Sequence, residues 1–129
     1  MPPPEFLLDR SLGRHQLADA LRAEGVAVHT LWSVYGAAEQ RLDDDVWATD
    51  AGSRGWVVLS ADKRLRYTVG TRLLAVHRVG VFQLARGTLP GRIQVRWYLD
   101  NLEAITRACT EPRPFIYSVH ERHIEHVWP

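Results

Sequence analysis

At 129 residues, with 46% hydrophobic and 24% charged residues, the chain has the size and composition of one globular domain, with enough apolar material for its own core. A single cysteine, Cys109, excludes an intramolecular disulfide, and no apolar run approaches the length of a membrane span. The net charge of +1 says little about partners, but its layout is uneven: residues 1–62 hold ten acids and five arginines, whereas 63–129 hold five acids and eleven basic residues. An acidic first half and a basic second half suit a metal site facing a polyanion, and equally an ordinary solvated surface.

The opening Met1-Pro2-Pro3-Pro4-Glu5 lacks the basic region and long apolar run of a signal peptide, so a cytoplasmic location without membrane association is expected. Residues 1–4 read as a short disordered lead. Phe6-Leu7-Leu8 is a first strand ending at Asp9. Ser11 is placed to cap a helix running to about residue 24, with Leu12, Leu17, Ala20 and Leu21 near helical spacing and Gly25 as the stop. Residues 26–31 are strand-like and 32–42 ambiguous. Asp43-Asp44-Asp45 opens a helix to about residue 54, since acids in a first turn complement the helix dipole. Trp56-Val57-Val58-Leu59-Ser60 reads as a buried strand that ends beside Asp62.

A helix over about 69–78 and a strand over 80–85 follow. Pro90 suits the start of one long helix over 91–109, with Ile93, Trp97, Leu99 or Asn101, Leu102, Ile105 and Ala108 along one side. Beyond Glu111-Pro112-Arg113-Pro114, residues 115–119 form a last strand. Strand–helix alternation predicts a mostly parallel sheet with helices on both faces, wound by right-handed crossovers, in a single domain over 1–129.

In such sheets ligands collect at the carboxyl ends of strands. Asp9 and Asp62 lie at two such ends, and Asp44 starts the helix before the second. Three remote carboxylates converging there make an oxygen-only site for Mg²⁺ or Mn²⁺. Each also has a structural explanation: Asp9 as a cap or turn residue, Asp44 as an N-cap, Asp62 as part of a turn. Asp43 and Asp45 are open substitutes for Asp44. The run Lys63-Arg64-Leu65-Arg66-Tyr67 places Lys63, Arg64 and Arg66 to contact RNA phosphates, with Tyr67 available to stack on a base. His120, His123 and His126, with Glu121 and Glu125, are residue types that ligate metal, but on one strand His123 would face away from the other two, so 120–129 reads as a solvated tail. Cys109 is expected to be a small core residue.

These residues resemble the PIN-like domains grouped with VapC-type toxins. Phe6-Leu7-Leu8-Asp9-Arg10-Ser11-Leu12-Gly13 resembles the family's opening; Asp43-Asp44-Asp45-Val46-Trp47 and Gly55-Trp56-Val57-Val58-Leu59-Ser60-Ala61-Asp62-Lys63-Arg64 resemble its acidic helix and its strand followed by Asp-Lys-Arg. Residues 86–91 and 111–116 fit in order and spacing. The resemblance implies a PIN-like three-layer α/β/α fold and a metal-dependent endoribonuclease. It also implies the toxin role of a toxin–antitoxin pair, with a cognate antitoxin as partner in a hetero-oligomer or beside a homodimer. It carries metal binding onto Asp9, Asp44 and Asp62. Many of these domains have a fourth acid late in the sheet, where Arg86-Gly87-Thr88 here offers no carboxylate. A non-catalytic PIN-like module that binds RNA or protein is therefore the alternative. A phosphoacceptor receiver-like domain is a more distant rival, because its lysine follows a late strand and the only lysine here is Lys63.

Overall fold

The computed structural model describes residues 2–129. Its sheet has the order β2-β1-β3-β4-β5-β6, formed by β1 (Glu5–Leu8), β2 (Ala27–Thr30), β3 (Val57–Ser60), β4 (Gly80–Leu84), β5 (Phe115–Val119) and β6 (Ile124–Trp128). The first five strands are mutually parallel, and β6 returns antiparallel to β5. The strands alternate along the chain with α1 (Gln16–Ala23), α2 (Leu31–Tyr35), α3 (Asp44–Arg54), α4 (Thr68–His77), α5 (Gly91–Asp100) and α6 (Leu102–Ala108).

Side chains alternate across a strand, so each strand feeds two cores. Phe6, Leu8, Val57, Leu59, Phe82, Phe115 and Val119 pack on one face with Leu17 and Leu21 of α1, Tyr98 of α5 and Ile105 of α6. Leu7, Val58, Val81 and Ile116 pack on the other with Leu31, Trp47, Ala48, Ala51 and Leu74 of α2, α3 and α4. The three-layer α/β/α reading therefore holds. The continuous apolar run of β3 reflects a strand buried on both faces. Gly55 ends α3 as expected, at φ 72°, a left-handed conformation that costs a side-chain-bearing residue more.

Three expectations are corrected, and one open segment takes form. Ser11 does not cap a helix to residue 24: Asp9 caps a single 3-10 turn, Arg10–Leu12, and α1 starts only at Gln16. The long helix over 91–109 is broken at Asn101, whose side-chain amide donates to the carbonyls of Trp97 and His120, both at 2.8 Å. A local side-chain bond of this kind competes with the helical ladder. The ambiguous segment after β2 is α2 followed by a 3-10 stretch, Gly36–Arg41. Residues 120–129 are not a loose tail, because they turn back to pair β6 with β5.

Candidate active site

Strand order places the site. The chain runs from β1 outward to β2, then crosses back to β3 on the other side of β1. This reversal opens a crevice at the carboxyl ends of β1 and β3, the usual ligand position in such sheets. Asp9 follows β1, and its N–H donates to the Leu59 carbonyl at 3.1 Å, tying the two strand ends together. Asp62 follows β3. A cavity of about 220 Å³ there is lined by Asp9, Asp44 and Asp62, with Arg10, Arg64 and Trp47 among its other walls.

Each carboxylate is held differently. Asp9 is buried; its Oδ1 accepts from the N–H of Ser11 at 2.9 Å and from the Ser11 hydroxyl, and its Oδ2 accepts from the Ser60 hydroxyl at 2.5 Å. Burial pushes its pKa up to about 6; the bonds from Ser11 and Ser60 oppose that rise, and the charge of Asp62 adds to it. Asp44 accepts from Trp47 Nε1 at 2.8 Å, one helical turn along α3. Asp62 caps the 3-10 turn Lys63–Arg66 and receives the Arg64 guanidinium on both oxygens, Nε to Oδ1 and Nη2 to Oδ2, each at 2.9 Å. That pairing holds the Asp62 carboxyl below its ordinary value.

Among the three neighbouring acids, the geometry favours Asp44. Asp43 is the N-cap of α3 without a side-chain cap bond, and Asp45 pairs with His77 at 3.0 Å. The oxygen donors of Asp9, Asp44 and Asp62 suit a hard divalent cation, and a buried carboxylate resisting ionisation is a place where such a cation offsets charge. Among the basic residues, Arg64 lines the cavity, engaged with Asp62. Lys63 and Arg66 lie three apart on the same 3-10 turn, so they project from one side of it, exposed, while Leu65 anchors the turn in the core. Tyr67 is 70% exposed.

The profile of a family described as "PIN like domain" matches residues 4–86. The chain belongs to the PIN-like domain family. Along 95% of its length this PIN-like domain is also 32% identical to the "Putative ribonuclease VapC45" of Mycobacterium tuberculosis (strain ATCC 25618 / H37Rv), covering 90% of that protein. No solved structure matches it. Among the described residues, no helix is long and apolar enough to cross a membrane.

Several residues that support the PIN-like site escaped sequence reasoning. The Ser60 hydroxyl bridges Asp9 and the Asp62 N–H, to which it lies at 2.8 Å, and the Ser11 hydroxyl receives the Ala61 N–H at 2.8 Å. Beneath them, fully buried Tyr98 of α5 sets its hydroxyl 2.7 Å from the Ser60 carbonyl and 3.0 Å from that of Phe82, and accepts from the Ser60 N–H at 3.2 Å. Burial, then the charge of Asp9, keep that phenol protonated well above the ordinary range. Glu39 is buried and fixed by Arg14 at 2.5 Å, and Arg10 donates to its carbonyl. The signal for Ser60 was its place at a strand end two residues before an acid; Tyr98 left no comparable trace. Cys109 is half-buried against the core as expected, and burial pushes its thiol up to about 11, away from thiolate chemistry.

Proposed function

We propose that this protein is the toxin of a toxin–antitoxin pair, an endoribonuclease that hydrolyses RNA phosphodiester bonds at the Asp9–Asp44–Asp62 cavity with Mg²⁺ or Mn²⁺ held there. The observation that carries the reading is that these three sequence-remote carboxylates line one cavity at the ends of β1 and β3, in a PIN-like chain, although without an ion their oxygens do not all lie within 4.8 Å of one another. When bound, such an ion polarises phosphate oxygen and lowers the pKa of water enough to make a nucleophile at neutral pH.

The protein's own groups set the rest. Ser11 and Ser60 aim the Asp9 carboxylate into the cavity and, being hydroxyl donors, favour its charged form. Trp47 orients Asp44. Arg64 neutralises Asp62 in the ion-free protein and stands at the mouth where an RNA phosphate arrives. Lys63 and Arg66 grip the backbone beside it. A cognate antitoxin is the expected partner, restraining the activity by occupying this basic rim.

The test is Asp9→Asn. The variant is expected to remain folded and to lose RNA cleavage and growth inhibition, and calorimetry is expected to show Mn²⁺ uptake by the unsubstituted protein and its loss in the variant. Full cleavage by folded Asp9→Asn removes Asp9 from the mechanism. The rival, a non-catalytic RNA- or protein-binding module, is favoured by one observation: among the described residues, Asp9, Asp44 and Asp62 are the only carboxylates lining the cavity. An unsubstituted protein that takes up no Mn²⁺ decides for that rival.

A further inference from the structure

The turn between β5 and β6 brings together ligands that strand alternation alone separates. Val119 pairs with Ile124, and the His120 N–H donates to the His123 carbonyl at 2.9 Å, leaving Glu121-Arg122 as a two-residue loop. Residues that face each other across such a loop share a face of the hairpin, and Glu125, two beyond His123, shares it too. The imidazoles of His120 and His123 lie parallel, 4.4 Å apart, and His120, His123 and Glu125 each offer one ligand atom within 4.8 Å of the others. It is the only such group of His, Cys, Asp and Glu found among the described residues. His126 belongs elsewhere, stacked on Tyr117.

One detail separates this cluster from a chance surface grouping. His120 Nε2 is shielded from solvent and has no hydrogen-bond partner among the described residues. Glu125 Oε2 stands 3.6 Å away, within ion-pair range but too far for a hydrogen bond. Two ligand atoms about 2.0–2.1 Å from a tetrahedral zinc ion lie roughly 3.3 Å apart, so the gap is close to the width of a shared cation. Glu121 and Glu125 balance Arg86 and Arg122 around the site, so no net positive charge opposes it. Imidazole nitrogen with one carboxylate suits zinc and its borderline neighbours, where the all-oxygen aspartate cavity suits a hard ion.

We propose that His120, His123 and Glu125 form a second metal site, for Zn²⁺ or a similar transition ion, which clasps the β5–β6 hairpin. By strand spacing it sits roughly 10 Å from the end of β3, and it does not depend on the nuclease reading. The experiment titrates the protein, with Mg²⁺ in saturating excess, with Zn²⁺ by calorimetry and with Co²⁺ by visible absorption. One ion per chain is expected, with ligand-field absorption from Co²⁺. His120→Gln, His123→Gln and Glu125→Gln are each expected to weaken binding by more than about tenfold, since even losing a group behind a ligand costs that much. Asp9→Asn is expected to leave the binding unchanged, and Glu125→Gln to leave RNA cleavage unchanged. Binding untouched by the three hairpin substitutions, binding lost in Asp9→Asn, or no uptake of either ion overturns the proposal. Should a histidine variant fail to fold, Glu125→Gln decides alone, because its side chain is exposed.

Discussion

Asp9 carries its charge where water is largely excluded, and this gives the protein a pH signature. Its carboxyl titrates near 6 in the folded chain against 3.8 when unperturbed. Between these values the folded state holds a proton that the unfolded state has released. Stability therefore falls as pH rises from about 4 to about 6, and the loss is complete above that range. The shift corresponds to roughly 3 kcal/mol at about 1.4 kcal/mol per pH unit. Asp9→Asn is expected to flatten this segment of the stability–pH curve and to raise the neutral-pH stability of the metal-free protein by about 2–3 kcal/mol, checked by urea denaturation across pH 4–8. A divalent ion is expected to remove the same penalty in the unsubstituted protein. The residue's position was legible in the sequence because an acid ending an apolar strand is a strong local signal. Its hydrogen-bonded seat was not, because that draws on Ser60, which lies 51 positions away.

At the scale of elements, the sequence marked the five parallel strands and most helix stops but not β6. It missed events in which one element borrows a group from another. Of the side read for α5 and α6, Asn101, Ile105 and Ala108 are buried, whereas Ile93, Trp97 and Leu102 are only partly buried and the fully buried Tyr98 was missed. Tyr98 lies one position beyond Trp97, so a stripe drawn through Trp97 passes it by. Likewise, alternation along a strand gave the wrong relation between His120 and His123, because a chain reversal lies between them. The tyrosine has a measurable role as the peg between α5 and the ends of β3 and β4. Tyr98→Phe keeps the ring and leaves the Ser60 and Phe82 groups without their hydroxyl. It is expected to cost about 1–3 kcal/mol in chemical denaturation. RNA cleavage is expected to fall as well, since Ser60 positions Asp9.

For the whole molecule, the uneven charge layout resolves into an acidic cavity bordered by a basic turn. The turn Lys63–Arg66 lies directly after Asp62, so the sign of charge changes within one residue at the cavity mouth. If Lys63 and Arg66 each neutralise a phosphate, replacing both with alanine is expected to reduce the salt slope of single-stranded RNA binding by about 1.4, at about 0.7 per contact. Binding measured between low and physiological salt checks this, and Arg64 stays in place as the partner of Asp62.

The hydroxyl beneath Ser60 also imposes an order on manufacture. All three aspartates have been translated once residue 62 is made, yet the platform that seats Asp9 waits for Tyr98 on a later helix. A ribosome partway through this message therefore carries a chain with every acid and an unfinished seat. The proposed site is therefore completed only after Tyr98 has been made, 36 residues later than its last acid.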